Sequence, residues 1–216
     1  MLDVLNAVLV VVMILNLFAL GTSRINSVIR IVAVEGALLG PVPLLLHGAG
    51  DISGASVLAA AVAVVLKGLV IPAIMRRSLR AADIKREVEP FVGFLPSVLL
   101  GAVGTGIALV FSARMGSGGG STANLIIPAA IATILVGFII LTTRWKALSQ
   151  VIGYLMLENG IFIFGMLLVE AIPFVVEMGV LLDLFVGIFV ISIITNHINE
   201  AFSSMDTRKL ASLKEE

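Results

Sequence analysis

The chain has 216 residues, a formal net charge of zero, 59% hydrophobic residues and 13% charged ones, with a mean hydropathy of +1.16. A soluble domain carries roughly 25% charged residues, so this composition excludes an ordinary water-soluble fold and points to an integral membrane protein. The balanced charge leaves no footprint for nucleic acid, and the lack of cysteine excludes disulfides, thiolate-held zinc and iron–sulfur clusters carried by this chain.

A spanning helix needs about 20 mostly apolar residues. Such runs occur at about 2–20, 26–46, 52–75, 90–113, 123–143, 150–169 and 173–196, which predicts an all-α polytopic protein of about seven transmembrane helices. The first run has Asp3 where a signal peptide has basic residues, and it is read as a retained span. In the second run, Gly36 and Gly40 permit close helix contact, and a break near Pro41–Pro43 frees backbone groups close to Glu35. A charged loop is expected from Arg76 to Glu87. The fourth run contains Gly101, Gly104 and Gly106, read as a close-packing face, and Gly116–Ser121 is read as a flexible connector.

Basic residues set the orientation. With the N-terminus outside, the cytoplasmic side collects Arg24, Arg30, Arg76, Arg77, Arg80, Lys85, Arg86, Arg144, Lys146, Arg208, Lys209 and Lys214. The outside collects Arg114, and Lys67 falls within a span. The C-terminus is then cytoplasmic.

Two segments share a plan. Ser27–Gly40 and Ser149–Gly165 each follow a basic loop, and each carries one glutamate near the centre of a helix: Glu35 and Glu158. A third helix follows each, with one charge near its middle: Lys67 and Asp183. Helices 1–3 and 5–7 are therefore read as two copies of one unit. Three spans reverse the side of the chain and a fourth reverses it again, so the copies are parallel (3+1+3). The expected organisation is a first repeat at 1–80, a connecting helix with its loops at 81–120, a second repeat at 121–200, and a polar cytoplasmic tail at 201–216.

An ionised side chain at mid-membrane costs roughly 2.5–3.5 kcal/mol on insertion scales. Glu35, Lys67, Glu158 and Asp183 all sit near span midpoints and must pair, protonate or meet water. Desolvation brings intramembrane acids and amines toward proton exchange near neutral pH, so the four are the candidate proton-pathway residues. A structural alternative makes Glu35 and Lys67 a static bridge between helices 2 and 3, with Glu158 bonded to Asn159 or a neighbouring backbone group. No catalytic set, metal cluster or cofactor motif appears. Lys67 is a poor retinal anchor, because the aromatic content is 6% with one Trp.

The stretches Leu155–Gly160 (LMLENG) and Leu66–Pro72 (LKGLVIP), the chain length and the polar tail resemble component E of hydrogenase-4 and formate hydrogenlyase complexes. The residues from about Arg144 to Leu213 are also similar to the K-type subunit of complex I and its relatives in cation/proton antiporters. That resemblance implies that Glu158 and Asp183 match the two acids of the K-type subunit. Glu158 follows Gly153 by five residues, three more than in the K-type pattern, which keeps its face but shifts its depth by about one turn.

The resemblance further implies a membrane-arm subunit without a redox centre, in the plasma membrane of a prokaryote. Its partners would be antiporter-like membrane proteins, peripheral nickel–iron hydrogenase and iron–sulfur subunits, and the lipid bilayer. In that reading Glu158 leads proton transfer, Asp183 is its partner, and Lys67 with Glu35 forms a switchable pair. The alternatives are a stand-alone proton-coupled transporter and a passive assembly scaffold.

Overall fold

The structure is a computed structural model that describes residues 2–46, 54–81, 91–116 and 125–168. Its elements are α1 (Leu2–Gly21), α2 (Ile25–Leu39), α3 (Val42–Leu46), α4 (Gly54–Val65), a π-helical turn (Leu66–Val70), α5 (Ile71–Ala81), α6 (Phe94–Gly116), α7 (Ile126–Thr143) and α8 (Ala147–Gly165), which ends in a 3-10 turn (Met166–Leu168). The described residues are helical and hold no strand. In an apolar solvent a helix satisfies its backbone groups within one segment, which selects this architecture.

Among the described residues, five helices are long and apolar enough to cross a membrane: Asp3–Gly21, Ile25–Leu44, Phe94–Arg114, Ile126–Thr143 and Leu148–Gly165. They mark the chain as a membrane protein. The run expected at 52–75 is a helix interrupted by the π turn, and it continues to Ala81. The charged stretch from Arg76 is therefore helical at its start rather than a loop. Ile71, Met75 and Leu79 recur every four residues and are buried, so α5 has an apolar stripe to hold it against the bundle. The expected span at 173–196 and the tail at 201–216 lie outside the described residues.

The break at the prolines is present. α2 ends at Leu39 and α3 starts at Val42. The Gly40 amide still bonds to Gly36 O at 3.1 Å, but Pro41 has no amide to continue the ladder.

α1 packs against α2, α6 and α7, while α2 lies on the π turn, α5 and α8. Two apolar clusters result. One joins α2, α5 and α8 through Ile29, Met75, Ile152 and Met156. The other joins the start of α1 to the start of α7 and the end of α8 through Leu5, Leu9, Ala129 and Ile163. A buried hydrogen bond from Asn16 Nδ2 to Thr133 Oγ1 (2.8 Å) ties α1 to α7 at mid-helix. α6 is the least buried of the spans. Its Leu95, Leu99, Val103, Ile107 and Val110 face outward, as an apolar solvent permits. On its inner side a Cβ at Gly101 would meet Leu20 and one at Gly104 would meet Leu135 at 3.2 Å, whereas Gly106 faces open space. The expected close-packing face therefore uses two of its three glycines.

Candidate functional site

Lys67 stands on the π turn. The amide of Ile71 bonds to Leu66 O, five residues back. Pro72 explains the widening: in a regular helix its ring would press on the carbonyl four residues earlier, and it offers no amide there. Such π turns recur at functional positions. Gly36 brings α2 onto the same turn, since a Cβ there would come within 2.5 Å of Lys67 Cβ. Gly40, a turn further along α2, admits Val64 in the same way. With its base pressed on Gly36, the Lys67 side chain runs on toward α8.

There Lys67 Nζ meets Glu158 Oε1 at 3.0 Å, with side-chain exposures of 10% and 4%. Nζ also donates to Asn159 Oδ1 at 3.3 Å and lies 5.2 Å from the centre of the Phe162 ring. Lysine at this depth is thus held by a carboxylate, an amide oxygen and an aromatic face. Val32, Ile71 and Leu155 complete a small pocket around Lys67, Glu158 and Asn159, with room for about one water molecule.

Glu35 is fully buried. Neither of its oxygens has a hydrogen-bond partner, although Asn159 is close enough to interact with it electrostatically. The expected Glu35–Lys67 pair is therefore not the one formed. Lys67 reaches across to Glu158 because Gly36 admits its base flat against α2 and directs its end to the next helix. Asp183 lies outside the described residues. The sequence offers Asn159 only as an alternative partner of Glu158, yet it touches Lys67 with one end of its amide, while its nitrogen is buried without a hydrogen-bond partner. Its position next to a mid-span glutamate is the available signal.

The arrangement has a definite chemical capacity. A proton moving from Lys67 to Glu158 turns an ion pair into a neutral pair with no change in net charge. Glu35, one neighbour further, is a second carboxyl able to hold a proton. Among the described residues no group of three or more His, Cys, Asp or Glu side chains could hold a metal ion.

Gly36→Ala tests the geometry that delivers Lys67. The added methyl meets the Cβ of Lys67, which cannot swing aside as a chain end can. We expect a loss of about 1–3 kcal/mol, read as a lower melting temperature of the detergent-solubilised protein. An unchanged melting temperature would show that α2 does not approach the π turn this closely.

These features define a polytopic helical membrane protein with a charge-paired polar cluster buried at mid-span. No family model matches the chain, and no solved structure matches it. It is 33% identical over 193 residues to an uncharacterized protein of Mycobacterium tuberculosis, a match that covers 88% of this chain and 87% of the relative. The chain belongs to the family of that protein.

Proposed function

We propose that this protein is a membrane-arm subunit of a complex I-like, energy-converting hydrogenase, in which Glu158, Lys67, Glu35 and Asp183 carry or gate protons. The observation that supports this most is the Lys67–Glu158 pair. A lysine and a carboxylate held 3.0 Å apart inside apolar helices, beside a further buried carboxyl at Glu35, form a proton-exchanging group. The chain has no cysteine, which fits a subunit that moves charge while other subunits carry electrons. The sequence resemblance to hydrogenase-4 component E supplies the class of complex, and its antiporter-like and nickel–iron partners follow from that resemblance.

In the same reading, the helix through the π turn and the stretch 173–196 complete seven spans in a 3+1+3 plan. Arg24, Arg144 and Lys146 lie at the cytoplasmic end of the bundle in a prokaryotic plasma membrane. Lys67 belongs to the first three-helix unit and Glu158 to the second, so their pair would couple the two copies.

Glu158→Gln is the test. It keeps a hydrogen-bonding side chain of equal size and removes the titrating proton. In membrane vesicles carrying the assembled complex, we expect electron transfer to persist and proton translocation per electron to fall to background. Translocation at the wild-type level in that variant would overturn the proposal.

A further inference from the structure

The basic end of the bundle holds a second polar cluster, which the Lys67–Glu158 chemistry does not use. Arg144 follows α7 directly and is 3% exposed. Its Nη2 donates to Leu20 O at 3.1 Å, and its guanidinium lies 5.0 Å from the Phe94 ring centre. Its Nη1 is buried with no hydrogen-bond partner, and the same holds for the hydroxyl of Ser149 in the first turn of α8. Both side chains line one partly open pocket, with Thr22, Val28 and Ile140, whose free space holds about one water-sized group. No carboxylate pairs with Arg144 among the described residues. Burial alone draws its guanidinium below the usual pKa.

A buried cation with unused donors is costly unless an anion completes it. The two helix starts point to the same sign. α2 begins at Ile25 and α8 at Ala147, and their first turns contribute Val28 and Ser149 to or beside this pocket. Helix N-termini carry partial positive charge and unsatisfied amides. Acidic or hydroxyl residues normally precede them, but here the preceding residues are Arg24 and Lys146, and neither start has a side-chain cap. Two positive helix starts beside a buried guanidinium form a set that an anion would neutralise.

We propose that a phosphate-type oxyanion docks at the open mouth of this pocket and places one oxygen inside it, where Arg144 Nη1 and the Ser149 hydroxyl donate to that oxygen. The pocket lies where α1 and α7 end, at headgroup depth, so the phosphate of an anionic lipid is the source that fits its position. Free inorganic phosphate is the other source of the same chemistry. An oxyanion here would tie the α1–α2 corner to the α7–α8 corner at the face where the basic residues gather.

The test uses the full-length chain in mild detergent. Native mass spectrometry compares retention of phosphatidylglycerol with that of phosphatidylcholine of equal chain length. In a second arm, inorganic phosphate is titrated while the emission of Trp145 is recorded. Trp145 is the single tryptophan and adjoins Arg144. Preferential retention of phosphatidylglycerol, weakened roughly ten- to hundredfold by Arg144→Gln and by a smaller factor by Ser149→Ala, supports a lipid phosphate. Saturable phosphate effects on Trp145 that disappear in the same variants support a free oxyanion. Should Arg144→Gln fail to fold, Ser149→Ala and Arg144→Lys supply the comparison. Equal retention of the two lipids without a phosphate effect, or anion binding unchanged in Ser149→Ala and in the folded Arg144 variant, would overturn the proposal.

Discussion

Lys67→Met is expected to destabilise the detergent-solubilised protein by about 3–5 kcal/mol, the usual cost of leaving one member of a buried ion pair behind. Methionine keeps the unbranched apolar stem of lysine and is one heavy atom shorter, so the packing of Cβ against Gly36 survives and the loss reports mainly on charge. Glu158 would keep its burial, at 4% exposure, without the ammonium, and Asn159 Oδ1 would lose its donor. The double variant Lys67→Met with Glu158→Met should recover most of that stability or exceed the wild type, because two well-packed apolar side chains avoid the desolvation of two charges. Melting temperatures of the wild type, both single variants and the double variant form a thermodynamic cycle whose coupling term isolates the pair. A coupling near zero would mean that Lys67 and Glu158 do not meet in the membrane protein. A double variant that is stable but inactive in proton translocation would separate the functional role of the pair from any structural one.

Helix class is legible in the sequence because hydropathy reads out directly in a solvent that demands internally bonded backbone. The depth of Glu35, Lys67 and Glu158 is legible for the same reason, since each sits near the middle of an apolar run. Which of these charges meet is not legible. That depends on the rotation of each helix about its own axis, which neighbouring packing sets. Lys67 turns to Glu158 rather than Glu35 because α2 presents a glycine where Lys67 crosses it. Gly36 and Gly40 stand out as a contact stripe, but which helix they admit does not. Ala81 as the end of α5 is hidden by Arg76, Arg77 and Arg80, whose charges mask the buried period of Ile71, Met75 and Leu79. The Arg144 cluster counts as loop charge in the sequence, and nothing in the composition marks a basic residue as inward-facing.

The α7–α8 contact is equally hidden in the sequence, and it carries the second large effect. Gly153 and Gly160 are seven residues apart and share a face of α8, with Gly137 opposite on α7. A Cβ on Gly153 would lie 2.6 Å from Leu141 N and 3.0 Å from Gly137 O. One on Gly160 would lie 2.7 Å from Ile134 N, and one on Gly137 would lie 2.5 Å from Leu157 N. In each case the obstacle includes backbone rather than a flexible side-chain end alone, so the helices must separate along their length to admit a methyl group. Gly153→Ala is therefore expected to cost at least the upper end of the about 1–3 kcal/mol typical of overpacking, despite the better helix propensity of alanine. Gly106→Ala provides the contrast. With nothing within 4 Å of its Cβ position, it should be neutral or stabilising by up to about 1 kcal/mol. Thermal unfolding of both variants in one detergent measures the difference, and equal melting temperatures would disprove the backbone contact between α7 and α8. Because α8 carries Glu158 and Asn159, the helix separation forced by Gly153→Ala should also lengthen the reach from Lys67 and weaken the coupling measured in the Lys67–Glu158 cycle.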